Sequence, residues 1–205
     1  EFGHERAQTK CDVVKALVQY RRGDFESARR AFEAALRALS DSDDLHTIGI
    51  IYNGLGCSYR YLGRTSDAVL AFERSREIFT ELAMPSEVNR AKWGLATVLL
   101  DSNHPRKALS LLKPVREDFL SRHMPEEAGE VGLLIVDALI GMGKLETATA
   151  LTSQVLKEFV NANLNIHAVS ALAYLRDLLQ KAHDPRAAVR HVRTVAEQLR
   201  FEPAH

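Results

Sequence analysis

The chain has 205 residues, 46% apolar and 26% charged, the balance of an ordinary globular protein in water. Its 27 Lys and Arg cancel its 27 Asp and Glu, which excludes the broad positive excess of a general nucleic-acid or anionic-membrane binder. Two cysteines form no disulfide framework, no apolar run spans a bilayer and no charged-then-apolar leader opens the chain, so a cytoplasmic protein with reduced thiols is expected.

One interval organises the elements in chain order. Alanine returns every forty residues, at Ala28, Ala68, Ala108, Ala148 and Ala188. Five residues before each stand Gly23, Gly63, Asn103, Gly143 and His183, and eleven after each stand Leu39, Phe79, Phe119, Phe159 and Leu199. A fixed period of this size, with no insertion, means stacked supersecondary units. The repeats run over about 3–42, 43–82, 83–122, 123–162 and 163–202, in one domain covering 1–205.

The first repeat turns at Gly23. In the second, Ile48, Ile51, Tyr52, Leu55 and Tyr59 recur at three- and four-residue steps and predict a helix over about Leu45–Leu62. Gly63 ends it, because glycine adopts a positive φ freely. Ala68, Val69, Phe72, Ile78, Phe79 and Leu82 predict a partner over about Thr65–Leu82. The third repeat carries the same two stretches around Asn103. Pro85 and Pro125 open first helices with φ already set, and carboxylates follow them at the positive end of the helix dipole. Met84, Met124 and Leu164 precede these starts and plug the junctions. The repeating alanines mark where second helices cross first helices, facing Ala16, Gly56, Ala96, Val136 and Arg176. The growth of the last two predicts a fifth pair that packs less closely or forms a cap. The fold class is all-α, a solenoid of five antiparallel pairs and ten helices.

Leu55-Gly56, Tyr59, Gly63, Ala68 and Phe72 resemble the tetratricopeptide repeat. Ala16, Gly23, Ala28 and Phe32 carry the likeness in the first repeat, and Leu95-Ala96, Ala108 and Leu112 in the third. Ile135, Gly143 and Ala148 carry it in the fourth, with Thr152 at the aromatic slot, and Leu175, Leu179, Ala188 and Val192 in the fifth. The usual period of that family is thirty-four. Six extra residues imply longer helices, like those of kinesin light chains, maltose-regulator-type activators and peptide-sensing bacterial regulators. The resemblance implies a right-handed solenoid whose first helices line a concave face that binds peptide or protein.

On the slots that the resemblance places in this groove stand Val13, Leu17 and Tyr20; Asn53, Cys57, Arg60 and Tyr61; Arg90, Trp93, Thr97 and Leu100; Glu130, Leu133, Asp137 and Ile140; and Ala173 and Asp177. Tyr20, Asn53, Arg60, Arg90, Trp93, Thr97, Leu133 and Asp137 are the candidate peptide-binding residues. Arg60 and Arg90 would meet acidic groups and Trp93 would give a flat apolar contact. The competing account has Trp93 filling a seam between first helices and the arginines paired with nearby glutamates. Of the carboxylate-clamping residues in the chaperone-binding branch of the family, only Asn53 has a match.

Arg21, Arg22, Arg29 and Arg30 crowd the first turn, interleaved with Asp24, Glu26 and Glu33, the pattern of a salt-laced surface. His183 and His191 lack companions for a metal site. No phosphate loop, nucleophile elbow or paired-carboxylate motif appears, so no enzymatic activity and no cofactor are expected. The expected function is a protein- or peptide-binding adaptor with no direct nucleic-acid or membrane partner. The alternatives are a sensory or regulatory domain of a larger protein, consistent with the chain opening without methionine, and self-association. In the last, Leu175, Leu178, Val189 and Val192 of the C-terminal repeat would form a homodimer.

Overall fold

The computed structural model describes residues 2–39 and 44–162, with side chains from Gln8 onward. The described residues contain eight helices and no strand. They are α1 (Phe2–Arg21), α2 (Phe25–Ala38), α3 (Leu45–Tyr61), α4 (Thr65–Glu81), α5 (Pro85–Asp101), α6 (Pro105–Ser121), α7 (Pro125–Gly141) and α8 (Leu145–Asn161). The fifth repeat, its His183 turn and the proposed dimer residues lie outside the described residues, so the count of ten helices has no counterpart here.

From α3 to α8 every helix has 17 residues and starts twenty after the last. The forty-residue period is therefore two equal half-repeats, and both helices of a repeat are long. Three-residue turns enforce this spacing. At the α3–α4 turn the Gly63 N–H donates to the Arg60 carbonyl, and the Arg64 N–H to that of Tyr59. These two bonds close a helix on a left-handed residue. The Arg64 carbonyl then accepts from the Ala68 N–H as the first bond of α4. One residue both completes the stop of one helix and starts the next, leaving no room for an insertion.

The same bonds recur around Ala83, Asn103, His123 and Gly143. Gly23, Gly63 and Gly143 have φ of 78°, 71° and 75°, and Asn103 has 58°. A Cβ on any of these three glycines would meet nothing within 4 Å, so backbone conformation alone calls for glycine. Ala83 at 52° and His123 at 57° hold the left-handed conformation without that freedom.

Packing divides the described residues into two compact units, 2–98 and 99–162. In the first, Ala16, Ala28, Phe32, Ile51, Ala68, Phe72 and Ala96 are essentially solvent-free. Small residues there receive aromatic rings. A Cβ on Gly49 would stand 2.7 Å from the Phe79 ring, and one on Gly56 2.8 Å from that of Phe72. A Cβ on Gly54 would overlap Phe32, and one on Gly94 would overlap Phe72. Phe72 thus projects from α4 toward glycines of both α3 and α5. The Ser75 hydroxyl adds a buried 3.0 Å hydrogen bond to the Gly49 carbonyl.

In the second unit Ala108, Leu112, Val115, Ala128, Val131, Val136, Ala148 and Val155 are fully enclosed. The slots filled by Phe72 and Gly94 in the first unit hold Leu112 and Leu134 here, both buried. Volume has moved from one helix to the other while the site stays filled. Gly129 takes the Phe159 ring. Gly132 makes space for Arg116, whose Nη2 reaches Glu158 on α8 at 2.6 Å.

Candidate peptide-binding surface

Among the candidate residues of the first unit, Tyr20 and Arg60 enter one cluster. Tyr20 ends α1, Phe25 begins α2 and Tyr61 ends α3. The Phe25 and Tyr61 rings stack at 4.2 Å, nearly parallel, and Tyr20 stands edge-on to Phe25 at 5.6 Å and 6.0 Å from Tyr61. The Arg60 guanidinium lies over Tyr61, 4.8 Å from the ring centre, a cation–π arrangement that fixes its plane. The Tyr20 hydroxyl is held far above its ordinary ionisation range, chiefly by burial and then by Cys57 and Tyr61 beside it. Cys57 is a free thiol and half-buried; Cys11 is free and exposed.

Asn53, Arg90 and Trp93 stand on α3 and α5, and Asn53 and Trp93 share a repeat slot. Asn53 and Trp93 are half-buried and Arg90 is exposed. The Asn53 Oδ1 is sealed from solvent with no hydrogen-bond partner. Arg90 comes within 3.8 Å of Glu87 on its own helix, a loose surface pair worth little. Thr97 is buried, and its hydroxyl donates to the Trp93 carbonyl at 2.9 Å. That bond satisfies it within the helix and turns it away from any ligand. Val13, placed in the groove by its slot, is 5% exposed and belongs to the core with Ala16, Phe32 and Leu55. Its apolar side chain gains more from that cluster than from solvent.

In the second unit Leu133 packs against Val155 and Phe159. Asp137 is half-buried on the same helix, and Ile140, also expected in the groove, is buried. The groove slots of α7 thus divide between two apolar residues used for packing, Leu133 and Ile140, and two half-buried carboxylates, Glu130 and Asp137, whereas those of α3 and α5 carry arginines and aromatic rings.

Two further clusters join side chains across repeats, the first of them built on the Arg29–Glu33 pair of the salt-laced first turn. Tyr59 donates to Glu33 at 2.9 Å, Arg29 reaches the same carboxylate at 2.6 Å, and Arg64 lies over the Tyr59 ring at 4.6 Å. Burial alone would raise the Glu33 pKa, but the hydrogen bonds from Arg29 and Tyr59 outweigh it and hold the carboxyl below its usual range. Burial, then the bond to Glu33, pushes the Tyr59 hydroxyl up to about 12. The second is the Arg116–Glu158 pair, with Gln154 donating to the other Glu158 oxygen at 2.9 Å. Both join residues from different repeats, which helical periodicity does not register. No group of three His, Cys, Asp or Glu side chains among the described residues is placed to hold a metal. No described helix is long and apolar enough to cross a membrane.

Residues 12–81 match the family model of the tetratricopeptide repeat. This segment belongs to the tetratricopeptide repeat family. Solved structures extend the likeness of fold to nearly the whole chain. BtubC (BKLC) from P. vanneervenii superposes with a TM-score of 0.72 at 17% identity, covering 97% of this chain and 83% of that one. A putative kinesin light chain of nearly identical TPR-like repeats from Podosopora anserina gives 0.68 at 16% identity, covering 92% and 96%. A variant of the latter gives 0.69 at 15%, covering 95% and 97%. At these identities the structures report a shared tetratricopeptide-type fold. No curated protein matches the chain. No catalytic family is indicated, and tetratricopeptide repeats serve in general as protein-interaction scaffolds.

Proposed function

We propose that this chain is a non-enzymatic adaptor, acting in the cytoplasm, that binds a peptide or protein segment along the first helices of its second and third repeats. One observation carries the reading. Helices α3 and α5 keep Asn53, Arg60, Arg90 and Trp93 at least partly open to solvent, and the slot shared by Asn53 and Trp93 holds on α7 the apolar Leu133, half-buried against Val155 and Phe159. Helix packing does not require an amide, two guanidiniums and an indole at those slots. Together they supply an amide, two charges and a flat apolar contact, the elements that anchor a chain segment.

A random peptide library screened against the chain, and against the Arg60→Glu, Arg90→Glu double variant, tests this. Peptides enriched in acidic residues are expected, bound more weakly as salt rises and lost in the double variant. Absence of acidic bias, or unchanged binding by the variant, would leave these arginines as solvated surface and overturn the proposal.

A further inference from the structure

The turn edge of the first two repeats carries a charge imbalance that the fold does not require. Arg29 bridges Glu26 and Glu33, Arg30 approaches Glu26, and Arg64 pairs with Asp67. Asp24 is occupied in capping α2 through the Ser27 N–H. Arg21 and Arg22 are exposed at the end of α1 and make no ion pair among the described residues. The 6.0 Å contact of Tyr20 with Tyr61 brings the end of α1 beside that of α3, where Arg60 is held over the Tyr61 ring.

Positive side chains at helix C-termini gain a little from the helix dipole, which is the simplest account of them. The other first helices argue against that account. At the slots of Tyr20-Arg21-Arg22, α5 and its turn carry Leu100-Asp101-Ser102, and α7 and its turn carry Ile140-Gly141-Met142. These helices end through the same backbone bonds with no cation at those slots. Three arginines and three aromatic rings in mutual contact are therefore peculiar to this edge among the described first helices, in a chain of zero net charge. The rings contact one another, and the stack holds Arg60 in a fixed plane, the pre-orientation that lets a guanidinium meet an oxyanion with two parallel hydrogen bonds.

We propose that Arg21, Arg22 and Arg60, at the edge built on Tyr20, Phe25 and Tyr61, form a seat for a dense anionic group of a bound peptide, either adjacent carboxylates or a phosphate. The inference rests on the peptide-binding reading above and assigns one end of the ligand to this edge. A nucleic acid fits less well, because the rings are already engaged with one another and three cations cover few phosphates.

Fluorescence anisotropy of the whole chain with three labelled probes tests the assignment: hexaglutamate, a Gly-Ser peptide bearing one phosphoserine, and an oligothymidylate. At least one peptide should bind, and which one decides between carboxylate and phosphate. The Arg21→Glu, Arg22→Glu variant should weaken it by about tenfold or more, and Arg21→Gln, Arg22→Gln by less. Arg106→Glu with Lys107→Glu, on the same edge of the third repeat, should change it by less than about twofold. Failure of both peptides to bind, an equal loss from the third-repeat variant, or tighter binding of oligothymidylate would each overturn the seat. Library peptides that depend on Arg90 but not on Arg21 and Arg22 would overturn it too, while leaving the wider reading intact.

Discussion

Helices α1 and α3 hold the same place in successive repeats, yet their equivalent faces meet different surroundings. On α3 the face of Ile51, Gly54 and Ser58 is buried, and the Phe32 ring of α2 occupies the space over Gly54. On α1 the same slots hold Cys11, Val14 and Val18, all exposed, with Val14 at 58% and Val18 at 42%. The local sequence of both faces is apolar or small. What differs is the second helix of a preceding repeat, which α3 has and α1, among the described residues, lacks. In a solenoid each unit is buried by its neighbours, so stability is assigned to interfaces more than to helices.

The largest effect should come from a side chain serving two interfaces. Phe72 is 1% exposed and faces glycines of α3 and α5. Phe72→Ala should cost about 3–5 kcal/mol in denaturant unfolding. A loss below about 2 kcal/mol would mean that the glycines collapse onto the cavity and that the aromatic–glycine contacts are not what joins the repeats.

Exchanging the residues of the paired slot sharpens the contrast. Gly54→Val installs on α3 the side chain that α1 tolerates, against the Phe32 ring, at about 1–3 kcal/mol or more. Val14→Gly makes the reverse change on an open face and should cost no more than about 1 kcal/mol, from helix propensity alone. Similar losses in the two thermal melts would show that the two slots do not differ in their surroundings.

Much of this was legible in the sequence, for reasons that individual residues make plain. Gly23, Gly63, Asn103 and Gly143 announced their turns because left-handed backbone selects glycine and asparagine. The predicted helices of the second repeat ended within one residue of α3 and α4. The positive φ at Ala83 and His123 was not legible, since alanine does not favour it and neither residue lies on the forty-residue beat of the glycine turns. There the bonding of a three-residue turn prevails over side-chain preference. The Ala16, Gly56 and Ala96 slot, read as the small side of a helix crossing, is buried, and the larger Val136 on the same slot is buried too. Gly49, Gly54, Gly94 and Gly129 were missed, because a glycine inside a helix acquires meaning only when the ring opposite is known. The candidate surface was less legible than the fold. A slot gives the side of a helix and not the neighbour, so Val13 went to the core and Thr97 to its own backbone.

The turns provide a smaller test within one protein. Ala83→Gly should relieve left-handed strain and, after the added freedom of the unfolded chain, stabilise by about 0.5–1 kcal/mol. Gly63→Ala should lose about 1 kcal/mol at the equivalent turn, where space is open and only the backbone objects. If both changes shift the melt in the same direction, conformational preference does not govern these turns.

The smallest expected effect bears most directly on the open face of α1. Val14→Ser with Val18→Ser removes two apolar side chains that already stand largely in water, and serine and valine have similar helix propensities. If α1 marks the edge of the folded array, the double change should move stability by no more than about 0.5 kcal/mol. The effect should also be independent of protein concentration. A loss above about 2 kcal/mol would mean that the face is covered in solution. Dependence of that loss on concentration would identify the cover as a second copy, because association stabilises the folded state by mass action. A concentration-independent loss would place the cover within the same polypeptide. In either case α1 would bury its face as α3 does, and its difference from α3 would disappear.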